Sequence, residues 1–396
     1  MKKSLIALAV LGAVAGAAQA QSSVTIYGLI DEGVTFSNNV ATGNVNSPTG
    51  GKVGLTSGVI QGSRLGFKGV EDLGNGLKAV FQLEAGFKAN TGALNGGNSN
   101  NNSNGLFNRK SVVGLSSDTA GTVLLGRQTD LLDDIGSYTS VKDFGNVVGT
   151  AHALDRTEGV RTQNSIRYNS PNFSGFTASA IYGFGGQAGS TTAGQSFGLG
   201  GIYANGPLAA FVSYYQSKVG TPNATGVTGS DVAIGSYPLS GLLETGDTAL
   251  KTFTLGASYQ AGPARLYGNW SRSTNQSINF ATTAGDVYIP RLKLDMFELG
   301  TDYALTAPLH LLASVQYGQA TIGSSDNGKG KLTQFNLGTD YWLSKRTDVY
   351  GFVSYQQTKN GYGSVLGTGI FDPSVYNTST GDANQTSVSV GIRHKF

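Results

Sequence analysis

Residues 62–88 read GSRLGFKGVEDLGNGLKAVFQLEAGFK. Leu65 and Phe67 alternate with Arg64, Gly66 and Lys68, and the run Glu71-Asp72-Leu73-Gly74-Asn75-Gly76 makes a tight turn. Beyond it Leu77, Ala79, Phe81, Leu83, Ala85 and Phe87 share one parity, while Lys78, Gln82, Glu84 and Lys88 share the other. Period-2 alternation of this length predicts β-strands with one face against something oily and the other against water.

Composition sets the class. Glycine, at 59 of 396 residues, is roughly twice the ordinary ~7 %, and the 13 % of charged residues is about half the ordinary ~25 %. No apolar run of the ~20 residues needed for a membrane helix occurs after the N-terminus. The mean hydropathy of -0.10 nonetheless looks soluble, as it does when hydrophobicity is spread through alternating strands. No Pro-rich or charge-rich break suggests a linker, so one large closed sheet is the simpler reading.

Residues 1–20, MKKSLIALAVLGAVAGAAQA, pair Lys2 and Lys3 with an apolar middle and the small-residue site Ala18-Gln19-Ala20. The expectation is a cleaved secretory leader, with the mature chain over 21–396. Removing the two leader lysines from the 27 basic residues leaves 25 against 24 acidic ones. Selectivity must then come from where charges stand, because the net charge is near zero. The absence of cysteine excludes a disulfide scaffold and thiolate chemistry.

In residues 23–36, Val24, Ile26, Ile30, Val34 and Phe36 share one parity, and Glu32 falls among them. A carboxylate on a lipid-facing row is costly, so this position marks a subunit contact or a bulge. Further along, short turns are expected near residues 117–121, 170–174, 204–207, 261–263, 306–309 and 343–346. Long polar connections are expected near 184–195, 218–249, 273–291, 322–330 and 359–384. Strict alternation of short and long connections is the pattern of an up-and-down transmembrane barrel with brief periplasmic turns and long outer loops. Seven short turns between two termini on one side give sixteen antiparallel strands.

Aromatics cluster near strand ends, at Tyr214, Tyr215, Tyr259, Tyr267, Trp270, Phe297, Tyr303, Tyr341, Trp342, Tyr350 and Phe352. Taken together they suggest membrane-border girdles; taken singly, each reflects strand propensity. The chain stops on an alternating strand in which Val388, Val390, Ile392, His394 and Phe396 share one parity.

Residues 126–168, GRQTDLLDDIGSYTSVKDFGNVVGTAHALDRTEGVRTQNSIRY, break this rhythm. A long connection with acids at one end and arginines at the other, set inside a closed barrel, would decide what passes through it.

SSVTIYGLID at 22–31, SRLGFKGVEDLGNGLKAVFQLE, LFNRKSVVGLSS, GTVLLGRQ, SIRYNSPNFSGF and the terminal GIRHKF together resemble the general trimeric porins of Gram-negative bacteria, in their β-proteobacterial branch. The resemblance runs the length of the mature chain and is weakest in the outer loops. It implies an all-β, sixteen-stranded transmembrane barrel, a homotrimer, and a third loop (about 128–163) folded into the lumen. It also implies contact with outer-membrane lipid and lipopolysaccharide, and assembly by the barrel-assembly machinery through the C-terminal strand, where His394 stands in place of a commoner aromatic. Wall arginines of the family match Arg64, Arg109, Arg127 and Arg167, and its acidic loop tip matches Asp143. Lys142 departs from the proline usual before that acid. Asp155, Arg156, Glu158 and Arg161 are candidates for the pore mouth or for ties between loop and wall. Residues 90–105, rich in Asn and Gly, are a candidate latch onto a neighbouring subunit.

The three histidines, His152, His310 and His394, are not spaced to converge with a nucleophile and an acid, so no enzyme is expected. Residues 183–188, GFGGQA, mimic a dinucleotide fingerprint but no βαβ unit follows. Neither a metal-ligand cluster, nor a cofactor site, nor a basic stretch for nucleic acid stands out. The function expected is passive diffusion of ions and small hydrophilic solutes with a weak anion preference, from four wall arginines against fewer loop acids. A substrate-specific channel and a mainly structural or adhesive barrel remain the alternatives.

Overall fold

The computed structural model describes residues 23–42, 49–94, 105–152, 161–186, 188–192, 194–218, 233–234, 237–238, 249–275, 278–282, 285–289, 291–323, 329–362, 370 and 383–396. The expected leader, most of the expected latch, and Asp155, Arg156 and Glu158 lie outside these residues.

The first strands are β1 (Ser23–Ala41), β2 (Thr49–Ser57), β3 (Arg64–Gly74), β4 (Leu77–Gly86), β5 (Lys110–Ser117), β6 (Gly121–Thr129) and β7 (Arg161–Asn169). Then come β8 (Phe176–Gly183), β9 (Ser196–Asn205), β10 (Leu208–Lys218), the small hairpin β11 (Ala233–Ile234) and β12 (Tyr237–Pro238), β13 (Ala249–Ala261) and β14 (Ala264–Asn275). A second hairpin, β15 (Ile278–Thr282) and β16 (Gly285–Ile289), precedes β17 (Leu292–Ala304), β18 (Leu309–Ile322), β19 (Gly330–Trp342), β20 (Thr347–Lys359) and β21 (Ala383–Lys395). Apart from the two hairpins the strands form one antiparallel sheet, which β1 and β21 close from Leu29↔Lys395 to Ser37↔Ser387. Closure removes the open edge that a membrane does not tolerate.

The first half of β1 pairs with β3, from Ser23↔Val70 to Leu29↔Arg64, and its second half pairs with β2, from Glu32↔Ser57 to Ala41↔Thr49. β2 and β3 are therefore two halves of one wall strand interrupted at 58–63, and the seventeen strands of the sheet make sixteen wall positions. Against β21 the register is continuous through Glu32; on the other side the pairing with β2 begins at Glu32↔Ser57, beside the break, and shifts once, between Ser37 and Val40. Glu32 carries no bulge.

The two faces separate as alternation requires. Val24, Ile26, Val34, Leu199, Leu299, Leu337 and Val390 are exposed on the outer face. Thr252, Thr254, Ser271, Ser273, Gln316, Gln334, Asn336 and Gln356 line the inner one. Inner side chains bond across strands, as Thr35 does with Ser389 at 2.9 Å and Ser37 with Ser387 at 2.6 Å. Among the described residues no helix is long and apolar enough to cross a membrane; the strands do so. Tyr259, Trp270, Phe297, Tyr303 and Tyr341 stand on the outer face, but Tyr215, Tyr267, Tyr350 and Phe352 are buried on the inner one. Strand propensity does not tell the two faces apart, so only part of the aromatic set can form girdles.

The interruption at 58–63 turns inward. Asp31, fully buried, accepts the backbone N–H groups of Ile60 at 2.8 Å and Gln61 at 2.7 Å, and the Tyr350 hydroxyl at 2.5 Å. Three donors on one carboxylate fix the break in place. Val59 and Ile60 thereby join Phe144, Val147, Val148, Leu312, Tyr350, Phe352 and Ile370 in an apolar cluster on the inner side of the wall.

Candidate functional site

The connection after β6 begins with Asp130, whose Oδ1 accepts the N–H of Leu132 at 2.9 Å and opens the short helix Leu132–Ile135. Arg167 of β7 holds this turn to the wall. Its Nη2 bonds Asp134, its Nη1 donates to the carbonyls of Thr129 at 3.3 Å and Asp130 at 3.4 Å, and its Nε donates to Asn169 at 2.9 Å. Burial pushes the Asp134 carboxyl above the usual range, while Arg167 draws it down.

The helix Ser140–Phe144 lies against strands far along the chain. The Ser140 N–H donates to Glu298 of β17, and Gln316 of β18 donates to the Ser140 hydroxyl at 2.8 Å. Nη2 of Arg265, on β14, lies 2.6 Å from both carboxylate oxygens of Asp143. Burial pushes the Asp143 carboxyl up to about 6, with Arg265 opposing the rise. Gly145 has φ +51, and a Cβ there would lie 1.7 Å from the Ile60 carbonyl oxygen, so glycine is required. Asn146 then donates from its backbone to the Val59 carbonyl at 3.0 Å, and Gln334 of β19 donates to the Val147 carbonyl at 2.9 Å. The wall residues in these contacts all have inner-face parity.

Arg64, Arg109 and Arg161 line a cavity of about 360 Å³ together with Asp133 and Lys142. Arg109 Nε binds Glu84 at 2.6 Å, and Tyr27 donates to the other Glu84 oxygen at 2.9 Å. Arg64 Nε is held by the Gly62 carbonyl at 2.9 Å, which belongs to the break in the second wall strand. Lys142 is drawn below its ordinary pKa by burial first, with Arg265 adding to the effect. Cations outnumber acids here, and the carboxylate adjoining Lys142 is turned away to β14.

The structure thus brings Arg64, Arg109 and Arg161 together. Arg127 is not among the residues lining that cavity; its Nε donates to the Asn108 carbonyl, next to Arg109, at 2.7 Å, while Arg167 and Asp143 tie the loop to the wall. Reading the sequence missed Arg265 and Glu298. Each stands on the inner parity of its strand, which marks it as lumen-facing, but nothing local signals a partner 122 or 158 positions away. Also missed is a group on the inner face of β17 to β21. His310 Nδ1 lies 2.6 Å from Asp302 and its ring stacks on Trp342 at 5.2 Å, while Arg393 Nε lies 3.0 Å from Asp348.

At the seam, Val388, Val390, Ile392 and Phe396 are exposed on one face, and His394 Nδ1 lies 2.9 Å from the Thr347 hydroxyl. The Phe396 N–H donates to the Gly28 carbonyl at 3.0 Å, and the Gly28 N–H returns to Phe396 at 3.2 Å. The last residue therefore pairs with the first strand.

A family model described as Gram-negative porin matches residues 7–361. The chain is 32% identical over 381 residues to an outer membrane porin protein of Bordetella pertussis, covering 80% of this chain and 94% of that one. It is 38% identical over 288 residues to outer membrane porin protein 32 of Delftia acidovorans, covering 66% of this chain and 77% of that one. Among solved structures, the anion-selective porin from Comamonas acidovorans superposes with a TM-score of 0.68 at 29% identity, over 95% of this chain and 100% of the other. Porins are non-catalytic transport proteins of the bacterial outer membrane. The sixteen-stranded wall and these similarities lead to one conclusion: the chain belongs to the Gram-negative porin family, as a general porin of the β-proteobacterial branch that forms a water-filled channel for passive diffusion of ions and small solutes.

Proposed function

We propose that this channel is weakly anion-selective and that its narrowest part is set by the segment at about 128–163. The observation that carries the reading is the pairing of Asp143 with Arg265. It neutralises the acid of the loop tip against the wall and leaves Lys142 beside Arg64, Arg161 and Arg109, the last paired with Glu84. Low-dielectric walls focus the field of such a group into the water between them, and basic linings favour anions. Arg127, held on the Asn108 carbonyl next to Arg109, adds to this charge. Arg167 and Asp143 act by holding the loop in place. The anion selectivity of the Comamonas relative supports the same sign. Reversal potentials across a planar bilayer under a salt gradient test this: a preference for chloride is expected, and a preference for potassium overturns it.

The same reading includes a cleaved leader over residues 1–20, a single barrel domain over 21–396 and a homotrimer. Family membership supports the trimer. Glu32 stands on the outer row between Ile30 and Val34, with both carboxylate oxygens shielded within the chain itself. The outward row of β21 ending in Phe396 is assigned to recognition by the barrel-assembly machinery. Counting protomers by native mass spectrometry tests the oligomer, and a lone protomer in mild detergent contradicts it.

A further inference from the structure

The break in the second wall strand holds more chain than the wall needs. β1 pairs with β3 up to Leu29↔Arg64 and with β2 from Glu32↔Ser57, so Ile30 and Asp31 face the six residues 58–63. Partners in an antiparallel ladder stand one to one, so a continuous strand would place two residues there. The excess is four residues, where an ordinary bulge adds one. It has to leave the plane of the wall, and it leaves toward the lumen, because Val59 and Ile60 are buried in the inner apolar cluster beside Phe144 and Tyr350.

One residue gathers this excess. Besides the Ile60 and Gln61 N–H groups on its carboxylate, Asp31 takes the Gly58 N–H on its backbone carbonyl at 2.7 Å and the Ser63 hydroxyl on the same oxygen at 3.3 Å. Its own N–H donates to the Ser63 hydroxyl at 3.1 Å. Residues 58, 60, 61 and 63 are thus all bonded to a single side chain and backbone unit that is fully buried. The carbonyls of the break turn the other way. Those of Gly58 and Val59 accept the side chain and the backbone N–H of Asn146 at 2.5 and 3.0 Å, and that of Gly62 accepts Arg64 Nε at 2.9 Å. Buried backbone groups need partners, and here the wall takes the donors while the loop tip and Arg64 supply the donors for the acceptors.

The break therefore has two sides. Val59 and Ile60 anchor it in the apolar cluster, while Gln61 and Gly62 line the cavity of about 360 Å³ and face Asp133, Ser137 and Lys142 of the loop. Gln61 is half-buried and is the polar side chain that the break presents to that space. Its amide offers both donors and an acceptor without adding charge, so it can bond a passing solute of either sign.

We propose that the break is a second jaw of the constriction, facing the loop: Gln61 is a specificity-determining residue of the channel, and Asp31 is the positioning residue that holds Gln61 and, through the Gly62 carbonyl, Arg64 at the pore. The inference deepens the anion-selective reading and rests on it for where the pore is narrowest.

The chain has no cysteine, so Q61C gives the full-length channel a single thiol. The test treats Q61C in planar bilayers with a sulfonate-bearing methanethiosulfonate and with its trimethylammonium counterpart. Both reagents should lower the conductance; the sulfonate should move the reversal potential toward cations and the trimethylammonium group toward anions. S137C, on the facing jaw, should respond in the same way. A response of S137C without one of Q61C overturns the second jaw, and silence of both overturns it together with the placement of the constriction. For the positioning role, Q61C is combined with D31A and with D31N. The opposite shifts of reversal potential should be largely lost with D31A and partly kept with D31N, which retains one acceptor oxygen. Shifts as large in both double variants as in Q61C overturn the role of Asp31, and D31N alone decides it if D31A does not assemble. A parent channel without anion preference counts against the selectivity reading itself; an anion-selective parent with an unresponsive Q61C counts against the jaw alone.

Discussion

Arg265 places its Nη2 atom 2.6 Å from both carboxylate oxygens of Asp143, joining the loop tip to a wall strand far from those that the loop connects. The pair is almost wholly shielded from solvent. Removing one partner of such a pair leaves an uncompensated buried charge and typically costs ~3–5 kcal/mol, whereas removing both costs much less. Arg265→Gln is therefore expected to lower the thermal stability of the folded barrel and raise open-channel noise. The double variant R265Q/D143N should regain most of the stability. Equal stability of the parent and both variants, read from heat-induced unfolding on gels, would show that the pair does not hold the loop.

The same carboxylate predicts a pH dependence. Its folded value, about 6, lies above the ordinary 3.8 because of burial, so the folded chain holds a proton that the unfolded chain has already released. Stability contributed by this group is present at low pH, falls as pH rises from about 4 to about 6, and is level above that. Protonation also removes a negative charge beside Lys142, so anion preference should rise as the bath is acidified through pH 6. D143N should flatten the change. A pH-independent reversal potential in the parent would exclude Asp143 as the titrating group.

Gly145 allows the loop to meet the strand break. Gly145→Ala would set a methyl group 1.7 Å from the Ile60 carbonyl at a positive φ, so backbone must move. A loss of about 1–3 kcal/mol is expected, with altered conductance because Val59, Ile60 and Phe144 share one apolar cluster. Melting curves and single-channel recordings of G145A read the two effects separately; an unchanged melting curve would contradict the tight approach.

Arg167 is expected to behave as an anchor. Arg167→Lys keeps the charge but not the fork that reaches Asp134, two carbonyls and Asn169 at once. Current fluctuations should increase while the reversal potential stays nearly constant. A large shift of reversal potential in R167K would place Arg167 among the selectivity residues instead.

The barrel was legible in the sequence because lipid and water impose period 2 on the chain and the two membrane sides impose different loop lengths. Val24, Ile26, Val34 and Phe36, or Val388, Val390 and Ile392, show their face from spacing alone. The interruption at 58–63 was not legible: β2 has three glycines and only Val53 and Leu55 as outward apolar residues, so alternation hardly marks it. Nor does spacing reveal which inward residue meets the loop. Asp143 and Arg265 are brought together by curvature of the whole wall, and Tyr350 and Phe352 look like girdle residues until the apolar cluster beneath the loop is seen. Arg64 and Arg109 were legible as wall cations, while their company with Arg161 and Lys142 was not.

In the proposed reading, Arg64 and Arg109, with the loop-tip acid Asp143 turned away to β14, set the sign of selectivity. The direct measurement is the zero-current potential of R64S/R109S beside the parent channel in the same salt gradient. The parent should favour anions and the variant should move toward cations with the conductance retained. An unchanged potential in the variant, or a cation preference in the parent, would contradict the account.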